Sequence, residues 1–250
     1  MMMIHGMWGR PDVWENFRPY FAQRGFDVQA PALRHHESGS TDSGPELGKT
    51  SLIDYAGDLE TAARRLDSPP ILVGHSMGGL LAQQLASRGL ARALVLLAPA
   101  VPLGLGILRP STIRIFRRLV FRRRFWARPQ RLGQKQASYG LFQRLAPAER
   151  DRQIAAMSYE SGRVLFELAL PAMDHRHAAR IDPEHIRCPV LIVAGARDRL
   201  VPLAGLRRLA ARYGPRARYI ELPEHGHWLM GEPGWPAIAD VCIRWLDEIL

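Results

Sequence analysis

A chain of 250 residues with 47% hydrophobic residues is of single-domain size and can bury a core without disulfide or metal staples. Its net charge of +10 is local: residues 101–180 hold a surplus of 11 basic over acidic residues, and the rest of the chain is balanced to within one charge. No run of 18 apolar residues occurs, which argues against a membrane span. Met1 to Gly6 has neither a charged n-region nor an apolar h-region, so the chain is expected to be cytoplasmic. Cys188 and Cys242 are expected there as free thiols.

In chain order, Met2–Ile4 reads as a short strand, followed by His5-Gly6 and a helical pattern over Val13–Arg24 that Gly25 closes. Phe26–Ala30 reads as a second strand. His35-His36-Glu37 then resembles a metal triplet, but adjacent loop residues cannot all face one ion, since structural zinc takes four ligands in separated pairs. No metal is expected, and contact with a substrate entrance is the better reading. Ser38–Ser51, rich in Ser, Gly and Thr, reads as a surface loop. A helix over Ser51–Leu66, a strand at Ile71–Val73, a helix over Gly78–Ala86 capped by Gly89, and a strand at Ala93–Leu97 follow. From Pro99 to about Ile181 the strand rhythm stops and the pattern is helical and Arg-rich. It resumes with a strand at Pro189–Ala194, a helix over Leu203–Arg212 closed by Gly214, a strand at Ala217–Leu222 and a helix over Trp235–Ile249. Nearly pure apolar runs such as Val190–Ala194, alternating with helices, predict an α/β fold with a mostly parallel central sheet flanked by helices. Residues 1–100 and 181–250 would form its core, and 101–180 a helical cap inserted over one end.

The sharpest signal is Gly74-His75-Ser76-Met77-Gly78-Gly79, between an apolar run and a helical stretch. A serine on so tight a strand-to-helix turn needs small residues two positions before and after, because the two backbones approach closely there. Such a turn exposes Oγ at the sheet edge and aims the N–H groups of the new helix at developing negative charge. A serine hydroxyl also needs a base beside it. His227, after the last strand, and Asp198, after the strand before it, stand on loops at the same carboxyl edge as Ser76, where open α/β sheets gather their catalytic groups.

His5-Gly6, Gly74–Gly79, and the Asp198 and Gly226-His227 loops together resemble the α/β-hydrolase fold superfamily, in particular its capped, single-domain esterase and monoacylglycerol-lipase-like members. The resemblance implies Ser76 as nucleophile, His227 as base, Asp198 as orienting acid, and the backbone N–H groups of Met77 and Met7 as oxyanion donors. Gly226-His227-Trp228 followed by Glu232-Pro233 fits the family's pattern for the base, and His225 would have to be shifted by two. Glu221 and Glu224, rivals of Asp198, lie within six residues of His227 and read as surface or loop-bracing groups. The family usually carries two strands before its His-Gly turn, whereas four residues precede His5 here.

The implied activity is hydrolysis of a carboxylic ester, without a cofactor, with Met157, Phe166, Leu168, Leu170 and Met173 as candidates for an apolar acyl pocket. Serine at position 76 argues against dehalogenase and epoxide-hydrolase chemistry, which needs aspartate there. Thioesterase, acyltransferase and carbon–carbon hydrolase chemistry share the triad, and a non-catalytic receptor could keep it. Between Arg109 and Arg131 nine arginines occur without an acid, and Ile113, Phe116, Leu119 and Val120 recur at helical spacing. That stretch reads as the solvated face of a cap helix, with attraction to an anionic lipid surface or substrate as the second reading. Nucleic acid is not expected, since no binding module accompanies the charge.

Overall fold

The computed structural model describes residues 1–37, 44–105 and 109–250. The first six residues of the Ser38–Ser51 loop therefore lie outside the described residues. Five strands, β1 (Met2–Ile4), β2 (Ile71–His75), β3 (Ala93–Leu97), β4 (Val190–Gly195) and β5 (Ala217–Leu222), pair in chain order, and every pair is parallel. The three inner strands are buried along their whole length, as a sheet covered on both faces requires.

The pleat sends alternate side chains to two separate cores. Met3, Val73, Val95, Leu191 and Val193 face one side, where α1 (Phe17–Ala22) contributes Phe17 and Phe21 and α9 (Trp235–Ile249) contributes Ile238, Cys242 and Trp245. Met2, Ile4, Leu72, Leu94 and Ile192 face the other, against α2 (Leu52–Ala63), α3 (Met77–Ser87) and α8 (Leu203–Tyr213). Ser51 caps α2 through a reciprocal box with Asp54. Gly25 and Gly89 stand at φ of +86° and +76°, a region that costs other residues steric energy.

The expected strand at Phe26–Ala30 does not form. Only Gln29 bridges Met2, because β1 offers a partner just three residues long. The helix expected over Val13–Arg24 is split into a 3-10 turn at Pro11–Trp14 and the short α1. Between β3 and β4 run α4 (Pro110–Val120), α5 (Gln134–Gly140), α6 (Pro147–Ala156) and α7 (Gly162–Ala169), with no strand among the described residues. Both cysteines are free; burial raises their thiol pKa values to about 11 at Cys188 and about 12 at Cys242. Among the described residues no helix is long and apolar enough to cross a membrane.

Candidate active site

Ser76 occupies the turn between β2 and α3 with φ +53° and ψ −121°, a conformation that L-residues adopt only when their surroundings impose it. The surroundings do so from several sides. The Ser76 N–H donates to the Leu97 carbonyl at 3.1 Å, and the Ser76 carbonyl accepts from Gly79 at 2.9 Å and Ala100 at 2.8 Å. A Cβ on Gly78 would run into the Ile4 carbonyl, and one on Gly74 into the Gly78 backbone. A Cβ on Gly6 would lie 3.0 Å from that of Ser76, so the His5-Gly6 turn packs directly against the serine.

His227 and Asp198 come from the loops after β5 and β4. A side chain on Gly195 would strike the Gly226 carbonyl, so the two loops approach to backbone contact. There His227 Nδ1 lies 2.7 Å from Asp198 Oδ2, with both side chains buried. Facing a carboxylate, Nδ1 is the nitrogen that carries hydrogen, which leaves the lone pair on Nε2. Nε2 is buried and has no hydrogen-bond partner. The other Asp198 oxygen accepts from the N–H groups of Leu200 at 2.6 Å and Val201 at 2.9 Å, which fixes the carboxylate plane.

Two further side chains hold the histidine loop. Buried Glu232 accepts from the N–H of Gly226 at 2.8 Å and of Trp228 at 3.2 Å, clamping the residues on either side of His227. His75 Nε2 donates to the His227 carbonyl at 2.9 Å, and the two rings lie 4.8 Å apart. Burial, and then the proximity of His227, pushes the His75 pKa well below the usual histidine range. His75 is thus a neutral strut, which spares His227 a positive neighbour.

The rivals weighed from the sequence lie elsewhere. Glu221 pairs with Arg207 at 2.6 Å and Glu224 with Arg197 at 2.5 Å. His225 Nδ1 sits 3.4 Å from Glu232 and, among the described residues, makes no contact with Asp198. His35, His36 and Glu37 do not reach the substrate entrance: none lines the cavity, and His36 is fully buried 3.5 Å from Glu160. No group of three or more potential metal ligands is brought together among the described residues.

Ser76, Met7 and Met77 line a cavity of about 510 Å³ with apolar walls. Met77 opens α3, so its N–H belongs to the first helical turn and has no carbonyl partner within the helix. Leu168 and Leu170 line the cavity wall, whereas the other three pocket candidates do not. Met157 lies in a smaller hollow with Trp8 and Trp228, Phe166 packs on Phe125 with ring centroids 6.4 Å apart, and Met173 is 61% exposed. Sequence reasoning missed the contribution of α4 to this wall. Ile113, Phe116 and Val120 line the cavity, while Ile115 and Leu119 on the other face enter the core. The helical spacing of Ile113, Phe116 and Val120 was the available signal.

A model of the alpha/beta hydrolase family matches residues 1–239. No curated protein sequence matches the chain. Similar solved structures include a monoacylglycerol lipase of Paleococcus ferrophilus, with a TM-score of 0.75 at 21% identity over 100% of this chain and 94% of the other. An extracellular alpha/beta-hydrolase from a Paenibacillus species gives 0.74 at 16% identity, covering 97% of each chain. A methylesterase from Arabidopsis gives 0.70 at 14% identity, covering 99% of each. At these identities the likenesses speak to the fold, and with the family match over nearly the whole length they lead to one conclusion: the chain belongs to the α/β-hydrolase family.

Proposed function

We propose that the protein is a serine hydrolase that cleaves a carboxylic ester with an apolar acyl group. The observation that carries the reading is the buried Asp198–His227 bond at 2.7 Å, which leaves the Nε2 lone pair for a proton that Ser76 can give up. In the first step the Ser76 hydroxyl proton passes to His227 Nε2 as Oγ bonds to the substrate carbonyl carbon, and the carbonyl electron pair moves onto oxygen. The N–H groups of Met77 and Met7 hold that oxyanion, each contributing roughly 2.7–4 kcal/mol in the transition state. Collapse breaks the bond to the alcohol, which leaves with the imidazolium proton. Water then attacks the acyl-serine by the same route and releases the acid. No step requires a cofactor, and the apolar cavity beside Ser76 suits a hydrocarbon acyl chain.

Similar structures that include a monoacylglycerol lipase and a methylesterase support ester chemistry over thioester, acyl-transfer or carbon–carbon cleavage. A serine-reactive fluorophosphonate is the test, with esters of graded chain length beside it. The unmodified protein is expected to be labelled at Ser76 and to hydrolyse the esters, and Ser76→Ala to lose both. That loss should be on the order of a million-fold in turnover with the fold intact, since the strained turn accepts a smaller side chain. An unlabelled Ser76, or an alanine variant that stays active, sinks the assignment. Absence of labelling would favour a ligand receptor.

A further inference from the structure

Of the described side chains lining the cavity, Ser76, Thr112 and Arg117 carry nitrogen or oxygen atoms. The Thr112 hydroxyl donates to the Leu200 carbonyl at 3.1 Å, which ties α4 to the loop that carries Asp198. That leaves Arg117, one turn above Ile113 on the same helix, as the described side chain other than Ser76 with hydrogen-bond donors to offer an occupant. No carboxylate lies within ion-pair reach of its guanidinium among the described residues, although Arg152, Arg163, Arg197 and Arg207 all have one.

The two polar groups differ in depth. Ser76 is buried, 8% exposed, while Arg117 is exposed, one turn before Phe121, which is 88% exposed, so the cation stands where the cavity meets solvent. An apolar cavity with a buried nucleophile and, on its solvent side, a cation that no described carboxylate pairs is complementary to an amphiphile with an anion at its outer end. A neutral amphiphile would gain the apolar contact without meeting the charge.

We infer that Arg117 sets the specificity of this cavity, and that the substrate carries a carboxylate or phosphate at the end remote from the scissile carbonyl. The inference rests on the reading of Ser76 as nucleophile, but binding tests it without turnover. Decanoate, decyl phosphate and neutral decanamide, each below its micelle concentration, are titrated into the unmodified protein, Arg117→Gln and Arg118→Gln. Arg118 lies on the same helix and does not line this cavity. An exposed charge pair in water is worth a few-fold, so decanoate or decyl phosphate should bind the unmodified protein about two- to fivefold tighter than decanamide at low salt. Arg117→Gln should erase that preference and leave decanamide binding unchanged, while Arg118→Gln keeps it.

Equal binding of all three ligands overturns the inference. So does an equal loss in both variants, which would mean a diffuse field of the arginine-rich segment. An anionic preference that appears only when the ligand is presented in vesicles would assign the charge to a lipid surface and also overturn it. Fluorophosphonate labelling of Ser76 is scored separately: a labelled serine without anionic preference removes the role of Arg117 alone, and preference without labelling removes the nucleophile alone.

Discussion

In the proposed mechanism the bond from His227 to Asp198 does two things: it selects the tautomer with its lone pair on Nε2, and it would stabilise the imidazolium formed in the reaction. Asp198→Asn should therefore lower kcat by about ten-thousand-fold, since an amide in that place favours the wrong tautomer. His227→Ala should be as damaging as Ser76→Ala, whereas His225→Ala should cost no more than about tenfold. His225 only leans on Glu232, whose two oxygens already accept from the Gly226 and Trp228 amides, so the loop keeps its clamp without it. Esterase rates of the two histidine variants decide the point, and the reverse ranking would move the base to His225. The placing of Ser76, Asp198 and His227 on turns after β2, β4 and β5 was legible because each sits in a contiguous pattern whose spacing is dictated by backbone geometry. The supporting groups were not. Glu232 stood in the sequence as part of the pattern after His227 and His75 as part of the serine turn, but their roles depend on contacts with amides and carbonyls of the histidine loop, which no local pattern announces.

At the scale of elements, the turn after β1 is held by a buried polar cluster. His36 from the loop after Gln29, Glu160 from the stretch ahead of α7, Tyr55 from α2 and His5 from the turn itself meet out of solvent. Glu160 accepts from Ser161 N–H at 2.6 Å and from the Tyr55 hydroxyl at 2.8 Å. Burial opposes charge on both partners. Yet Glu160 raises the His36 pKa above the usual value, with Glu37 adding a little, and His36 leads the groups that hold Glu160 below the carboxylate range. His5, by contrast, is pushed down to about 3, by burial and then by His36, with distant Arg10 a minor contributor. Around neutral pH the folded protein thus keeps a proton on His36 that the unfolded chain gives up. Stability from this pair is present below pH 6.5 and is lost as pH rises through the raised His36 pKa, by up to about 1.4 kcal/mol for each unit by which that value is raised. On the acid side, Glu160 loses its contribution as pH falls through its lowered pKa, and neutral His5 is penalised below pH 6.5. Denaturant midpoints between pH 6 and 9 should fall for the unmodified protein and stay flatter in His36→Gln; equal slopes would rule out a charged His36. The sequence marked His36 as unusual but placed it at the substrate entrance, because its partner lies more than a hundred residues away. Phe26–Ala30 shows the same limit, since a strand needs a neighbour long enough to pair with it.

For the molecule as a whole, the question is whether residues 101–180 sit on the body or belong to it. Ile115, Leu119, Phe125, Leu132 and Leu165 of that segment share a core with strands β2, β3 and β4. The segment also reaches the turn after β1, where the Ser158 N–H donates to the Trp8 carbonyl at 2.9 Å and Trp8 Nε1 donates to the Gln130 carbonyl at 3.1 Å. Another polar tie is Glu167 of α7, fully buried, which accepts from the Ser51 hydroxyl at 2.7 Å and the Leu52 N–H at 2.8 Å. A carboxylate at the positive end of α2 satisfies amides that the helix itself cannot. Arg163, bound to Glu167 at 2.8 Å and Asp174 at 2.6 Å, neutralises the charge. Glu167→Ala would strand the Leu52 amide and take one of two carboxylates from Arg163, which keeps Asp174, a loss of about 2–3 kcal/mol. If body and segment share one core, that loss lowers the denaturant midpoint of the entire protein, with tryptophan fluorescence and far-ultraviolet circular dichroism still coinciding and the slope unchanged. Glu167→Gln, which keeps an acceptor near the α2 amides, should recover part of it. Native-state proteolysis gives the opposite answer its chance: early cleavage confined to 101–180, with the transition of the remainder unmoved, would mean that the segment unfolds on its own.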